Sequence, residues 1–119
     1  MNTNEIKSIL KLHDEWLASE GTSGVRAELS GVDLSGAELS GANLIGANLS
    51  DADLRGADLR CSNLSFADLS RAELDGADLR GADLRCADLS FTYLSRTDFY
   101  GANLRDADLG GAALIGAKR

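Results

Sequence analysis

The 119-residue chain has no proline, only two cysteines, one histidine and few aromatic residues. Because proline removes a backbone donor, its absence favours an unbroken hydrogen-bonded structure. No apolar run approaches the ~20 residues of a membrane span. The start, "MNTNEIKSIL", also lacks the basic and apolar segments of a signal peptide. We therefore expect one cytoplasmic domain that does not associate with a membrane.

The scarcity of histidine and cysteine also bears on chemistry. His13 is the only histidine, so the many serines lack a general base of the usual kind. Two cysteines without a nearby histidine make a poor zinc site. The acidic residues recur regularly instead of forming one unlike pair. We expect a protein that is not an enzyme and that has no catalytic, cofactor-binding or metal-binding residues.

What the chain does have is a five-residue period. Leucine occupies every fifth position from Leu29 to Leu114, eighteen sites in all, with Phe99 as the single replacement. Five residues turn an α-helix by ~500°, and side chains of a strand alternate with period two. Neither element places every leucine on one side. A coil that turns a corner once per five residues does, with its leucines pointing at the axis.

The other positions of the period fit the same coil. Two places before each leucine lies a small residue, usually alanine, with Val32, Ser62, Thr92 and Thr97 as exceptions. The residue directly before the leucine is usually Asp, Glu or Asn and is expected to face solvent. Glycine is frequent two places after the leucine, where a corner demands unusual dihedrals. The register is unbroken from Val25 to Gly116, which indicates a repeat architecture.

The motif A-(D/N)-L-(S/R)-G, as in "ADLRG" at 52–56 and "ANLSD" at 47–51, resembles the pentapeptide repeat family. The resemblance covers residues 25–116 and implies an all-β solenoid, a right-handed, four-sided parallel β-helix of about 4.5 coils. Its coils would stack ~4.8 Å apart, like strands of a sheet. Some members of the family also resemble duplex DNA and bind DNA gyrase.

Residues 1–24 read as an N-terminal cap helix and its connector. Asn2 followed by Glu5 resembles a capping box, and Gly21 is a plausible stop. One helix face carries Ile6, Ile9, Leu10, His13, Trp16 and Leu17. We expect this face to cover the open end of the first coil, so that removing residues 1–20 gives an aggregating protein. A partner-binding helix is the alternative.

An internal duplication repeats one cysteine and one phenylalanine at matching positions. The segment "LRCSNLSFADLSR" at 59–71 recurs as "LRCADLSFTYLSR" at 84–96, an offset of 25 residues. In a coil of twenty residues, this offset places the second copy of each residue on the next coil and on the neighbouring side. Cys61 and Cys86 are then about 10 Å apart, beyond the ~7 Å limit for a disulfide, and should be free thiols. Phe66 and Phe91 are interpreted as corner residues that pack on neighbouring coils, with an exposed binding pair as the alternative.

Sorting the charges by side predicts that the net charge of −7 is concentrated on one face. The side that carries Leu29, Leu49 and Leu69 has a single arginine, Arg71. Its acidic residues form the candidate binding face: Glu28, Asp51, Asp68, Asp88 and Asp108. The alternative is that these charges only keep a β structure soluble.

The expected fold offers a rigid rod with flat faces and no pocket. We therefore predict a non-enzymatic scaffold for protein–protein interaction, with an unknown partner and no cofactor. The alternative, from the family resemblance, is a DNA mimic that binds DNA gyrase and modulates topoisomerase activity or quinolone resistance. Direct binding to nucleic acid is not expected, because an acidic rod repels phosphate.

The C-terminal end lacks the usual polar positions. After Leu109 the chain reads "GGAALIGAKR", and residues 117–119 are expected to form a short tail. The last coil should expose a candidate dimer interface: Phe99, Leu104, Leu109, Leu114 and Ile115. A two-fold homodimer through this end would cover it. The alternative is a monomer whose terminal residues fold over the last coil.

Overall fold

The computed structural model describes residues 1–118, which form one helix followed by a stack of coils. The helix α1 spans Thr3–Ala18. Its N-cap is Asn2, whose side chain accepts the backbone N–H of Glu5 at 2.8 Å, while the Glu5 carboxylate accepts the N–H of Asn2 at 3.5 Å. This reciprocal pair is the predicted capping box. The helix ends at the C-cap Ser19, and Gly21 follows with a φ of 86°.

From Glu28 onwards, every fifth residue forms a parallel bridge with the residue twenty positions later, ending with Asp98 and Lys118. An offset of twenty residues gives four sides of five residues to each turn of the chain. Among residues 1–118 the pairing consists of isolated bridges, one per side, and no continuous strand forms. The corner that follows each bridge residue explains this, because the backbone leaves the extended direction before a second pair can form.

Backbone hydrogen bonds connect each coil to the next in both directions. The N–H of Leu49 donates to the carbonyl of Asp68 at 2.7 Å, and the N–H of Asp68 donates back to the carbonyl of Ala47 at 2.9 Å. Each corner is closed by its own turn, such as the bond from the N–H of Ala67 to the carbonyl of Leu64 at 3.0 Å. This pattern recurs from coil to coil and holds the sides in register.

The leucine column forms the core. Every leucine of the period from Leu29 to Leu94 is buried, and each contributes roughly 1.5–3 kcal/mol through burial. The small column beside it is buried at Ala27 and from Ala47 to Thr97, and it is half-buried at its other positions, nearer the two ends of the stack. Its three hydroxyl residues donate to backbone carbonyls at 2.7–2.8 Å: Ser62, Thr92 and Thr97. Phe99 is buried, whereas Leu104 and Leu109 are half-buried and Leu114 is exposed. The core therefore opens at the last coil.

All eighteen corner positions, two residues after each leucine, have a positive φ. Glycine occupies ten of them. The other eight carry side chains: Asp51, Cys61, Phe66, Arg71, Cys86, Phe91, Arg96 and Asp106. The corners thus adopt the unusual dihedrals that the frequent glycine predicted.

The helix α1 lies on the first coil. Ile6, Ile9 and Leu10 pack against the core and are half-buried, as are Trp16 and Leu17. At the other end the bridges reach Lys118, so residues 117 and 118 continue the coil instead of forming the predicted tail. Arg119, the last residue of that predicted tail, lies outside the described residues. No helix within residues 1–118 has the length and apolar character needed to cross a bilayer.

Candidate functional site

The candidate acidic face is one flat side of the coil stack. Parallel bridges place Glu28, Asn48, Asp68, Asp88 and Asp108 on successive rungs of that side. Parallel pairing sets a rung spacing of ~4.8 Å. Asp51 lies at the corner of the same side. The structure therefore brings the five predicted acidic residues together, with an asparagine at the second rung.

Arginine neutralises two of these five carboxylates. The expectation of a single arginine on this side is wrong, because Arg26 pairs with Glu28 at 3.0 Å while Arg71 pairs with Asp51 at 3.1 Å. Within the described part of the chain, Asp68, Asp88 and Asp108 form no ion pair. The negative charge of this face is thus carried by its last three rungs, which we call the acidic rungs.

Each acidic rung is held by the residue two places on. Asp68 accepts the backbone N–H and the hydroxyl of Ser70, at 2.9 and 2.6 Å. Asp88 accepts the same two groups of Ser90 at 3.0 and 2.6 Å, and Asp108 accepts the N–H of Gly110 at 2.9 Å. Asn48 makes the equivalent pair of bonds with Ser50. The rungs are therefore ordered side chains on a rigid surface.

The neighbouring sides are more nearly balanced. On the side that carries Leu59 and Leu79, Arg60 donates to Asp58 at 2.6 Å and lies 3.8 Å from Asp78 on the next coil. The hydrogen bonds from Arg60 lower the pKa of Asp58 to about 2. Arg80 and Arg85 likewise lower the pKa values of Asp78 and Asp83. These carboxylates already have partners.

A fourth side, which the sequence argument did not weigh, adds acidic residues. It carries Asp33, Asp53 and Glu73. Arg55 pairs with Asp53 at 2.6 Å and with Glu73 at 3.2 Å, and it lowers the pKa of Asp53. The hydroxyl of Ser35 lowers the pKa of Asp33 through a hydrogen bond. The charge is therefore less confined to one side than predicted, although the acidic rungs stand out as a run without arginine partners.

The duplicated corner residues remain on the surface. Phe66 and Phe91 are 66% and 63% exposed. The ring of Phe91 packs on Gly111 of the next coil. Its Cδ1 lies so close that a Cβ added at Gly111 would be 2.6 Å from it. Cys61 and Cys86 are free and exposed. Among the described residues, no group of three or more His, Cys, Asp and Glu side chains is arranged to hold a metal ion.

The C-terminal coil presents an apolar hollow. A cavity of about 230 Å³ is lined by Phe99, Leu104, Leu109, Leu114 and Ala117. The structure therefore brings four of the five candidate interface residues together. Ile115 does not line the hollow: it lies on the outside of the coil and is 82% exposed. Within residues 1–118, the N–H groups of Leu104, Leu109 and Leu114 have no backbone partner.

At the opposite end, His13 has a role that its position on the predicted helix face did not reveal. It lies on the inward face of the cap helix, as predicted, and is completely buried. Both ring nitrogens bond to the backbone of the first coils, Nδ1 with Ala27 and Nε2 with Ile45. The available signal was that His13 is the only polar residue on an otherwise apolar helix face.

The leucine column, the twenty-residue pairing and the positive-φ corners define a solenoid of five-residue repeats. The sequence model described as "Pentapeptide repeats" matches residues 25–60, 47–85, 62–101 and 82–118, with eight copies. The chain therefore belongs to the pentapeptide repeat family, as its motif predicted. The predicted fold class, a β-helical solenoid with an N-terminal helix, agrees with this family, with the coil stack and with α1, whereas the number of coils remains a prediction.

Two solved structures have a similar shape. A pentapeptide repeat protein of the Arabidopsis thaliana thylakoid lumen is 33% identical, with a TM-score of 0.64, over 76% of this chain and 60% of its own. QnrB1, a plasmid-mediated fluoroquinolone resistance protein, is 22% identical with a TM-score of 0.66, over 78% of this chain and 51% of its own. The chain thus spans about half to three fifths of these relatives. None of the curated proteins matches it.

Proposed function

We propose that the chain is a cytoplasmic, non-enzymatic scaffold that binds a protein partner through its acidic face. The proposed architecture is a rod of about 4.5 coils that offers flat sides and holds no cofactor. Its partner is a protein with a basic surface. It binds neither nucleic acid nor membranes directly, because an acidic rod repels phosphate.

One observation carries this proposal, namely the row of acidic rungs without arginine partners. Most other acidic side chains on the coils have an arginine within 4 Å. Asp68 and Asp88 project from backbone that is bonded to the coils on both sides, and Asp108 projects from the last coil, which is bonded to the coil before it. A rigid row of like charges loses little entropy on binding, so a complementary basic surface gains affinity there.

The test replaces all three acidic rungs with asparagine. Asn48 shows that asparagine makes the same two bonds on this face, so Asp68→Asn, Asp88→Asn and Asp108→Asn together remove charge and preserve geometry. Affinity capture from the native cytosol should recover a partner with the parent chain and lose it with this variant. Asp14→Lys, Glu15→Lys and Glu38→Lys form a control set on other exposed surfaces. A partner retained by the asparagine variant would contradict the proposal.

The second candidate is a DNA mimic that binds DNA gyrase. The likeness to QnrB1 supports the fold alone, and the acidic rungs are the feature that favours the idea. Charge density argues against it. Duplex DNA carries one charge per ~1.7 Å, whereas this face carries at most one carboxylate per rung, every ~4.8 Å. A supercoiling assay decides: unchanged gyrase activity at micromolar protein, with and without a quinolone, removes this candidate.

We also propose that the chain forms a homodimer through its C-terminal coil. The proposed interface comprises Phe99, Leu104, Leu109 and Leu114 at the hollow, with Ile115 at the rim. Support comes from the apolar lining and from the unpaired N–H groups of the same coil. Dimerisation would place two acidic faces on one longer rod and so increase the avidity for an extended partner.

A further inference from the structure

His13 bonds two backbone groups that have backbone partners in the regular repeats, one in the preceding coil and one in the local turn. Elsewhere, a carbonyl one place after a leucine accepts a corner N–H from the coil before, as Ser65 accepts from Gly46 at 2.9 Å. The equivalent carbonyl of Ile45 bonds His13 Nε2 at 2.8 Å. The N–H of Ala27 donates to His13 Nδ1 at 2.9 Å. One side chain of α1 thus satisfies two backbone groups at the start of the stack.

These two bonds fix the tautomer of the ring. A backbone N–H is only a donor, so Nδ1 must accept and cannot carry a hydrogen. The hydrogen therefore resides on Nε2, which donates to the carbonyl of Ile45. If solvent supplies a proton to Nδ1, two N–H groups face each other and the bond to Ala27 is lost. The ring would then hold a buried charge, which is unfavourable without a counterion.

Within residues 1–118, no carboxylate bonds to His13. The charged residues flanking Ala27 are Arg26 and Glu28, which pair with each other at 3.0 Å. The Nε of Arg26 also donates to the carbonyl of Gly46 at 2.6 Å, next to the carbonyl that His13 contacts. The segment from residue 43 to 49 has no charged side chain. On the helix, Asp14 and Glu15 are exposed and make no bond with His13.

We propose that α1 is a pH-sensitive lid, which protonation of His13 releases from the first coil. Release breaks the bonds to Ala27 and Ile45 and uncovers the apolar side chains that Ile6, Ile9 and Leu10 contact. It also exposes a β edge that is a template for association. The lid is independent of the acidic face, so neither proposal depends on the other.

The experiment uses the full chain between pH 7.5 and 5.0. Histidines ordinarily titrate in this range, whereas the paired carboxylates, whose pKa values lie below the ordinary value, stay ionised. Hydrogen exchange of the Ala27 amide reports release. The population of the open lid should rise about tenfold per pH unit once the released histidine is protonated. Emission of Trp16, the only tryptophan, reports the ring itself, because Trp16 stacks on His13 with centroids 5.5 Å apart.

Two variants make the test specific. His13→Asn retains an acceptor near Nδ1 and His13→Gln retains a donor near Nε2, and neither side chain takes up a proton in this range. Exchange at Ala27 should be independent of pH in both, apart from the intrinsic exchange rate. Ring NMR signals of the parent chain give a second measurement that requires no variant. Protonation of His13 without a loss of protection at Ala27, after the observed rate is corrected for the intrinsic exchange rate, would overturn the proposal, and so would the same pH response in either variant.

Discussion

At the scale of single residues, the corners show how strongly the coil constrains its backbone. Eight of the eighteen corners place a side chain at a positive φ, where an L-residue costs roughly 1–2 kcal/mol relative to its preferred region. Phe66 and Phe91 accept this cost at φ values of 60° and 58°. The bonds to neighbouring coils hold these residues in place, so the surface of the corner is free to vary in sequence.

A glycine corner allows the strain to be measured alone. Gly56 has a φ of 66°, and a Cβ added there would meet nothing within 4 Å. We expect Gly56→Ala to lower the free energy of unfolding by about 1 kcal/mol. The added Cβ meets no neighbouring atom, so the substitution changes only the cost of the left-handed conformation. Urea denaturation measures this, and Gly56→Asn should cost less, since asparagine tolerates that region better. Equal stability of the alanine variant would show that the corner is not strained.

The Asp58–Arg60 pair predicts how the stability of the chain depends on pH in acid. The pKa of Asp58 is lowered to about 2, so its contribution to stability is present above the ordinary pKa of aspartate and is lost as the pH falls towards 2. We expect the Tm of the parent chain to fall between pH 4 and 2. Asp58→Asn, which cannot titrate, should show a shallower fall. Thermal unfolding followed by circular dichroism at several pH values tests this, and parallel curves for the two chains would contradict it.

At the scale of elements, sequence patterns predicted what depends on local spacing. The capping box followed from Asn2 and Glu5, and the leucine column followed from its period. Pairs within one side, such as Asp58 with Arg60, lie two residues apart and are visible in the sequence. The pair of Asp51 with Arg71 requires the twenty-residue coil, which five-residue periodicity does not define. The bonds of His13 go to backbone groups, which leave no signature in sequence.

The leucine column predicts a gradient of stability along the stack. Leu74 is fully buried between coils, whereas Leu109 is half-buried at the open end. We expect Leu74→Ala to cost about 2–5 kcal/mol, because it leaves a cavity that the rigid ladder cannot close. Leu109→Ala should cost clearly less, since its side chain already faces the hollow. Chemical denaturation of both variants provides the comparison, and equal losses would indicate that the last coil is covered in solution.

At the scale of the whole molecule, the two ends of the stack differ. The helix α1 covers one end and the hollow opens the other, across a molecule with extents of 40 × 29 × 22 Å. The hollow that would form the interface is lined by only five residues, far fewer than the ~20–30 residues a side of a standard specific interface. We therefore expect a dimer that depends on concentration.

The dimer prediction is tested by substituting residues at the hollow. Light scattering should report a mass that approaches twice the monomer mass as the concentration rises. Leu114→Lys should return the measured mass to that of the monomer, because dimerisation would bury the lysine charge without a partner. Ile115→Lys should weaken the dimer less, since Ile115 lies outside the hollow. Phe66→Lys removes an exposed apolar residue two coils away and serves as the control. A monomer at millimolar concentration, or a dimer that Leu114→Lys leaves intact, would contradict an interface at this end.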